Sequence, residues 1–371
     1  MAENQHEWRS FIRLSEEPWL RGHTVGSTVL FPGAGIVSIV LEATQQLLDQ
    51  GKTARAFRLR DVNLFATMAL VEEQATEVII HLRPHLVATT GSTPAAWWEF
   101  TVSSCVGADQ LRDNARGLVT IDYNENRSQE MDAEDAMIGA AQIADYYGIL
   151  QECPEIYSKE RFYKHMTSVS WTYGDLFQGV ENCHPGYGKT VFDIRLVDVG
   201  ETFSKAQFER PFLINAASLD AVFQSWLGAT YKDGAFEFDR PFVPTSIGEL
   251  EISVDISADA DYVMPGVCRA EKYGFNELSA DIAIFDKDLS RTFLTVKDFR
   301  TSELEMDLSR PDGDGMELDP ADITSEISWN YSLEFMQAED ISRVLTSLST
   351  QDRFTEASFI LKALCLVSEI G

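Results

Sequence analysis

Positive charge is what this sequence has least of. Across 371 residues, 30 Lys and Arg stand against 59 Asp and Glu, a net charge of −29. Binding to phosphates needs clustered cations, so no nucleic-acid partner is expected. The densest basic run is Lys159-Glu160-Arg161-Phe162-Tyr163-Lys164-His165. Cysteine is sparse as well. Cys105, Cys153, Cys183, Cys268 and Cys365 form no CxxC pair, which suits reduced thiols better than a disulfide framework or a zinc site. Residues 1–8 are polar with no apolar signal core, and no run of about 18 uncharged apolar residues follows anywhere. The expectation is a soluble cytoplasmic protein with no membrane span and no bound metal. The sequon Asn126-Arg127-Ser128 then carries no sugar.

What is present is enough apolar material, 44% with 22 Phe, for two domains or one domain of two halves. After Pro32, residues Ile36, Ile39, Val40, Ala43 and Leu47 recur at three- and four-residue spacing, and Gly51 follows as a stop. That predicts a helix. The period then changes: residues 57–70, 77–83, 96–104 and 115–122 are β-branched or aromatic runs parted by polar turns, which predicts strands. Residues 8–20 read as a surface helix or arm. Residues 124–135 are polar and acidic and read as a connection, with a short helix over 136–150.

The second half repeats this order. Residues 162–166 and 177–179 read as a turn region, 188–196 as a strand and 213–231 as a helix, and strands follow at 247–256, 262–273, 278–286 and 292–301. A helix followed by antiparallel strands, occurring twice, predicts an α+β fold built by duplication. The expected division is 1–124 and 157–303 for the two halves, 125–156 for the connection, and 304–371 for an acidic linker and the start of a following region. The apolar helical pattern of 339–371 has little left to pack against, which suggests a segment of a longer polypeptide.

Two groups can do chemistry. His23 begins a continuous piece, His23-Thr24-Val25-Gly26-Ser27-Thr28-Val29-Leu30-Phe31-Pro32, that delivers an imidazole and a helix N-terminus to one place. Asp220 lies on the otherwise apolar face of the second helix, with Gln224 one turn on. A buried carboxyl is costly when charged, so it is expected protonated and available as a general acid. A neutral imidazole takes a proton from carbon, and a protonated carboxyl gives one to a leaving hydroxyl. Together they eliminate water. Backbone N–H groups after Pro32, with Gly33 permitting close approach, would stabilise the developing carbonyl charge.

These residues resemble a family. His23-x3-Ser27-x4-Pro32 resembles the HxxxGxxxxP motif of polyketide synthase dehydratase domains, and Leu219-Asp220-Ala221-Val222-Phe223-Gln224 their LDxxxQ motif. Tyr173-Gly174-Asp175-Leu176-Phe177-Gln178-Gly179 is similar to their YGxxFQG stretch, and residues 242–247 to the segment entering the last sheet. The run Leu30-Phe31-Pro32-Gly33-Ala34-Gly35 and the linker to Ile327-Ser328-Trp329 are most similar to fungal highly reducing iterative synthases. The resemblance implies a double hotdog, two helix-in-sheet units side by side. It implies that His23 removes the α-proton of a β-hydroxyacyl thioester and Asp220 protonates the departing hydroxyl. Gln224 would orient Asp220; Tyr173 and Gly174 would line the site, and Pro32, Leu30, Phe177 and Leu219 support the motifs. The substrate would arrive on the phosphopantetheine of an acyl carrier protein, within a homodimeric megasynthase that needs no further cofactor here.

Two positions depart from the pattern. Ser27 replaces the motif glycine, with Gly26 one residue early, and Asn215-Ala216 stand where many members have His-Pro. Two other readings use the same fold: a product-template-type cyclisation domain, and a non-catalytic dimerisation scaffold. Remaining signals are set aside. Gly186-Tyr187-Gly188-Lys189-Thr190 lacks the first glycine of a phosphate loop, which would fall at Cys183. His81 and His85 are spaced like metal ligands on a helix, but the segment reads as a strand ending at Pro84, so no shared helical face is expected; His6, His165 and His184 read as structural or surface residues. Of Trp97 and Trp98, one is expected in the core and the other at the surface.

Overall fold

A computed structural model describes residues 5–85, 97–107, 110–199, 212–238, 240–256, 259, 261–273 and 276–304. Cys365, most of the linker and the apolar 339–371 segment lie outside these. The first half contributes β1 (His6–Ile12), β2 (His23–Val25), β3 (Thr28–Phe31), α1 (Gly33–Gln45), β4 (Ala54–Leu64), β5 (Met68–Leu70), β6 (Thr76–His85), β7 (Trp97–Val106) and β8 (Arg112–Tyr123). Helix α2 (Gln129–Glu152) leads to β9 (Tyr157–Ser158), α3 (Lys159–Ser168), β10 (Trp171–Tyr173), β11 (Val180–Pro185), β12 (Lys189–Arg195) and α4 (Ala216–Gln224). Then come β13 (Tyr231–Lys232), β14 (Ala235–Phe236), β15 (Phe242–Ser253), β16 (Val263–Tyr273), β17 (Glu277–Phe285) and β18 (Thr292–Glu303).

The expected pair of sheets is one sheet. Twelve strands run β1-β6-β7-β8-β4-β15-β18-β17-β16-β12-β11-β9, and the halves meet where β4 pairs antiparallel with β15. Alternation dictates the register there. Val62 opposes Ile247, Leu59 opposes Leu250 and Phe57 opposes Ile252, all buried, so a one-residue slip would turn every one of them to the other face. Both α1 and α4 lie against the same core as these residues and touch each other. A second sheet, β10-β2-β3-β5, takes one strand from the second half and three from the first.

Charge fastens the outer side of the seam. Arg55 and Arg58 bridge Asp122 on β8 to Glu251 on β15. Arg127, its side chain buried, holds Asp122, Asp132 and Asp135, tying the first turns of α2 to the same place. Farther along, Ile149 of α2 and Cys153, which caps its end, lie on Val191, Val267, Ala283 and Phe285 of β12, β16 and β17.

Several sequence expectations need correction. Residues 8–20 hold the edge strand β1 and the start of a 3-10 turn, Pro18–Gly22, because an edge strand largely open to solvent lacks the alternation that reveals inner strands. Residues 57–70 divide at Phe65 into strands of different sheets. Helix α2 is longer than 136–150, starting from the capping side chain of Ser128. The turn region at 162–166 is helix α3. Helix α4 ends at Gln224 and tightens into a 3-10 turn, Ser225–Ala229. Trp97 and Trp98 are both half-buried, Trp98 against the core and Trp97 beneath the Arg60 guanidinium at 4.4 Å.

Candidate active site

His23 is positioned by a hairpin. Strands β2 and β3 are joined by the two-residue turn Gly26-Ser27, with Val25 opposite Thr28. Gly26 has φ +58°, the left-handed region that glycine enters at no steric cost. The glycine one place early thus occupies the position that needs it, and Ser27 does not. Beyond the hairpin Pro32 is the N-cap of α1, with φ −65° and ψ 146°, an entry its ring favours.

The hairpin folds Leu30 back over His23. The imidazole Nδ1 lies 2.8 Å from the Leu30 carbonyl oxygen. A carbonyl only accepts, so Nδ1 carries the hydrogen and the neutral ring keeps its lone pair on Nε2. The ring is buried among Trp171, Tyr173 and Phe177, with centroids at 5.3, 5.6 and 5.2 Å. Trp19 stacks on Phe177 in turn, at 5.5 Å.

Asp220 comes from α4, whose nine residues are all buried, so the helix has no solvent face rather than a single apolar stripe. Asn215, in place of His-Pro, caps it. Its side chain accepts from the Ser218 N–H at 2.9 Å and donates to the Val197 carbonyl at 2.7 Å. Leu219 is fully buried and anchors the helix beside the acid. Burial raises the Asp220 carboxyl above its ordinary range, with His23 and the Gln224 hydrogen bond pulling the other way. Gln224 Nε2 donates to Asp220 Oδ2 at 2.7 Å. The other oxygen, Oδ1, is 3.7 Å from His23 Nε2. That separation exceeds a hydrogen bond, so imidazole and carboxyl face each other without being bonded to each other.

The remaining expected residues take different places, some beside the pair and some away from it. Tyr173 opposes His23 in the β10–β2 pairing. Gly174 stands behind it: its N–H donates to the Gly22 carbonyl at 2.7 Å, and a Cβ there would come within 2.9 Å of Gly22 Cα. Its contact is with backbone rather than with the space between the pair. Phe177 offers its carbonyl to Gln224 Nε2 at 3.1 Å. Gly33 is the first residue of α1, where N–H groups have no intrahelical acceptor; a Cβ on it would touch Leu64 and Pro244 at 3.4 Å, so it sits at the seam.

Sequence reasoning missed Trp171 and Tyr163. Both carry ordinary core signals; only the Phe162, Tyr163, Met166 spacing, once read as a helix face, could have drawn attention to the second. Among the described residues no cluster of three or more His, Cys, Asp or Glu could hold a metal, and no helix is long and apolar enough to cross a membrane. The run Lys159–His165 is not a free basic patch: Lys159 pairs with Glu181 and Arg161 with Glu155.

Known proteins resemble this chain in sequence and in fold. A family model described as polyketide synthase dehydratase domain matches residues 1–104, and one described as polyketide synthase dehydratase N-terminal domain matches 147–310. A reducing polyketide synthase of Hypomyces subiculosus is 69% identical over 96% of the chain, and a highly reducing polyketide synthase of Gibberella zeae is 64% identical over 96%. The chain spans 15% of the length of each of these curated relatives. Among solved structures, the dehydratase domain from the CurJ module of curacin polyketide synthase superimposes with a TM-score of 0.60 at 17% identity, over 81% of this chain and 92% of that one. A dehydratase domain of a trans-AT synthase from Brevibacillus brevis gives 0.59 at 18%, over 81% and 93%. The fold is therefore the double hotdog of these domains, and the chain belongs to the polyketide synthase dehydratase family, as a dehydratase domain of the fungal highly reducing type.

Proposed function

We propose that this domain dehydrates a β-hydroxyacyl thioester to the α,β-unsaturated thioester, with His23 as base and Asp220 as acid. One observation carries the reading: His23 Nδ1 is committed to the Leu30 carbonyl while Nε2 faces Asp220 Oδ1 across 3.7 Å. Nε2 takes the α-proton, the C–O bond to the β-carbon breaks as the double bond forms, and Asp220 Oδ1–H supplies the proton that turns the departing hydroxyl into water. The reaction leaves an imidazolium and a carboxylate, which exchange the proton through solvent or each other before the next turnover. Aromatic rings around His23 exclude competing water, and the N-terminus of α1 supplies N–H groups for the thioester oxygen.

The family places the domain among multidomain synthases, so we infer that the substrate is presented on the phosphopantetheine of an acyl carrier protein, that neighbouring domains supply it, and that two copies associate. We also infer that each half, 1–124 and 157–303, brings one catalytic group. The test is incubation with a β-hydroxyacyl pantetheine thioester and detection of the enoyl product by mass spectrometry. Intact protein is expected to lose water from the substrate, and His23→Ala is expected to slow this by roughly 10²- to 10⁴-fold. Undiminished turnover by His23→Ala would sink the assignment.

A further inference from the structure

Behind the acid lies a chain of hydrogen bonds that the dehydration step does not by itself require. Tyr163 is buried on α3. Its hydroxyl accepts from the Val180 N–H at 2.9 Å and lies 2.8 Å from Gln224 Oε1. A hydroxyl has one hydrogen to give. The Phe177 carbonyl, at 3.3 Å, is the poorer acceptor and is already served by Gln224 Nε2 at 3.1 Å. The Tyr163 hydrogen therefore goes to Gln224 Oε1. The Gln224 amide is thus oriented from both ends: its NH2 group faces the Phe177 carbonyl and Asp220 together, and its oxygen takes the Tyr163 hydrogen.

We propose that Tyr163 is a positioning residue that, by fixing the orientation of the Gln224 amide, assigns the acidic proton of Asp220 to Oδ1, the oxygen facing His23. The logic is one of occupied sites. Gln224 Nε2 donates to Oδ2 at 2.7 Å, so Oδ2 must accept and cannot carry the hydrogen toward Gln224. The neutral carboxyl then holds its proton on Oδ1, 3.7 Å from His23 Nε2, where the leaving hydroxyl would stand. With the amide reversed, Oε1 would face Oδ2 and draw the proton to the wrong side. Other groups bearing on this carboxyl are the Tyr173 phenol on β10 and His23 on β2, while Glu181 and Arg195 bear on Tyr163 itself.

The inference rests on the dehydratase reading for its kinetic consequence but not for its structural one. Tyr163→Phe keeps the ring and deletes the hydroxyl. Loss of the ordered Gln224 donor should raise the Asp220 carboxyl further, because that bond favours the ionised form. Carbon-13 NMR titration of the aspartate carboxyls, with the Asp220 signal identified by its absence in Asp220→Asn, should show this upward shift. In turnover, kcat should fall by about tenfold to a hundredfold with KM little changed, and the alkaline limb of the pH profile should move to higher pH. In a Gln224→Met background, Tyr163→Phe should have no further effect on either readout. An unshifted Asp220 titration in a Tyr163→Phe protein of native circular dichroism, or full additivity with Gln224→Met, overturns the proposal. A shifted titration in a protein that never dehydrates would leave the network standing and remove the dehydratase reading instead.

Discussion

Exchanging Asp220 for Asn removes one proton while sparing nearly all of the surrounding geometry. The amide oxygen can still accept from Gln224 Nε2, now 2.7 Å from Oδ2, and the amide nitrogen takes the place of Oδ1 beside His23. What is lost is general-acid help to a poor leaving group, worth about 10²- to 10⁴-fold. At about 1.4 kcal/mol per decade this is roughly 3–5.5 kcal/mol of barrier. The same variant changes stability with a defined sign. Burial holds the folded carboxyl above its ordinary value, whereas the unfolded one titrates near about 3.9. The wild-type protein therefore carries the full benefit of a protonated Asp220 only below the unfolded value and loses it as pH rises through the folded one. A side-chain amide at this position does not titrate and feels no such loss. The melting temperature of Asp220→Asn should exceed that of wild type at about pH 8, and the gap should close toward about pH 4. Steady-state formation of enoyl thioester and thermal melts across pH check both halves. Full turnover in the Asp220→Asn variant would refute the role as acid, and a pH-independent melting gap would refute the buried, proton-holding carboxyl.

Gly174→Ala drives a methyl group to 2.9 Å from the Gly22 Cα; backbone faces it, so no side chain can swing away. A loss of about 1–3 kcal/mol is expected in urea unfolding, with slower turnover as Tyr173 and His23 are pushed out of register. Burial, then Glu16, push the Glu17 carboxyl up to about 7. Glu17→Gln should therefore stabilise the fold at about pH 8 by roughly 1–3 kcal/mol, discounted for its partial exposure, and leave it unchanged at about pH 4, as chemical denaturation at the two pH values will show.

Most of the strands are legible in the sequence because their burial alternates or runs continuously, as in Ile282, Ala283, Ile284 and Phe285. The joining of two sheets into one by β4 and β15 is not, since a pairing between distant segments leaves no local period. The end of α4 is hidden for another reason: apolar spacing continues through Trp226 and Leu227, while the tightening into the Ser225–Ala229 turn, which brings Gly228 so close to Thr190 that a Cβ would lie 2.6 Å from its hydroxyl, depends on packing against a distant strand. At the site, His23 and Asp220 stand out as polar residues in apolar surroundings, and the structure brings them together. Tyr163 does not stand out because a tyrosine on a helix face is ordinary until its hydroxyl partners are known. The departures at Ser27 and Asn215 look like losses in the sequence; in space they are substitutions of one way of making a turn or a cap by another.

Strand β10 reaches across to pair with β2, and Thr24 and Thr172 meet although 148 residues separate them. Arg55 and Glu251 meet across 196. During synthesis, at about 5–20 residues per second, the hairpin bearing His23 leaves the ribosome roughly ten to forty seconds before α4 arrives with Asp220. The edge of β2 stays open until β10 emerges, ahead of α4, and the edge of β4 stays open beyond α4, until β15 follows. The site therefore cannot form before the second half of this domain has emerged, and a ribosome stalled before β10 would hold a first half with two unpaired strand edges, open to chaperones or to aggregation.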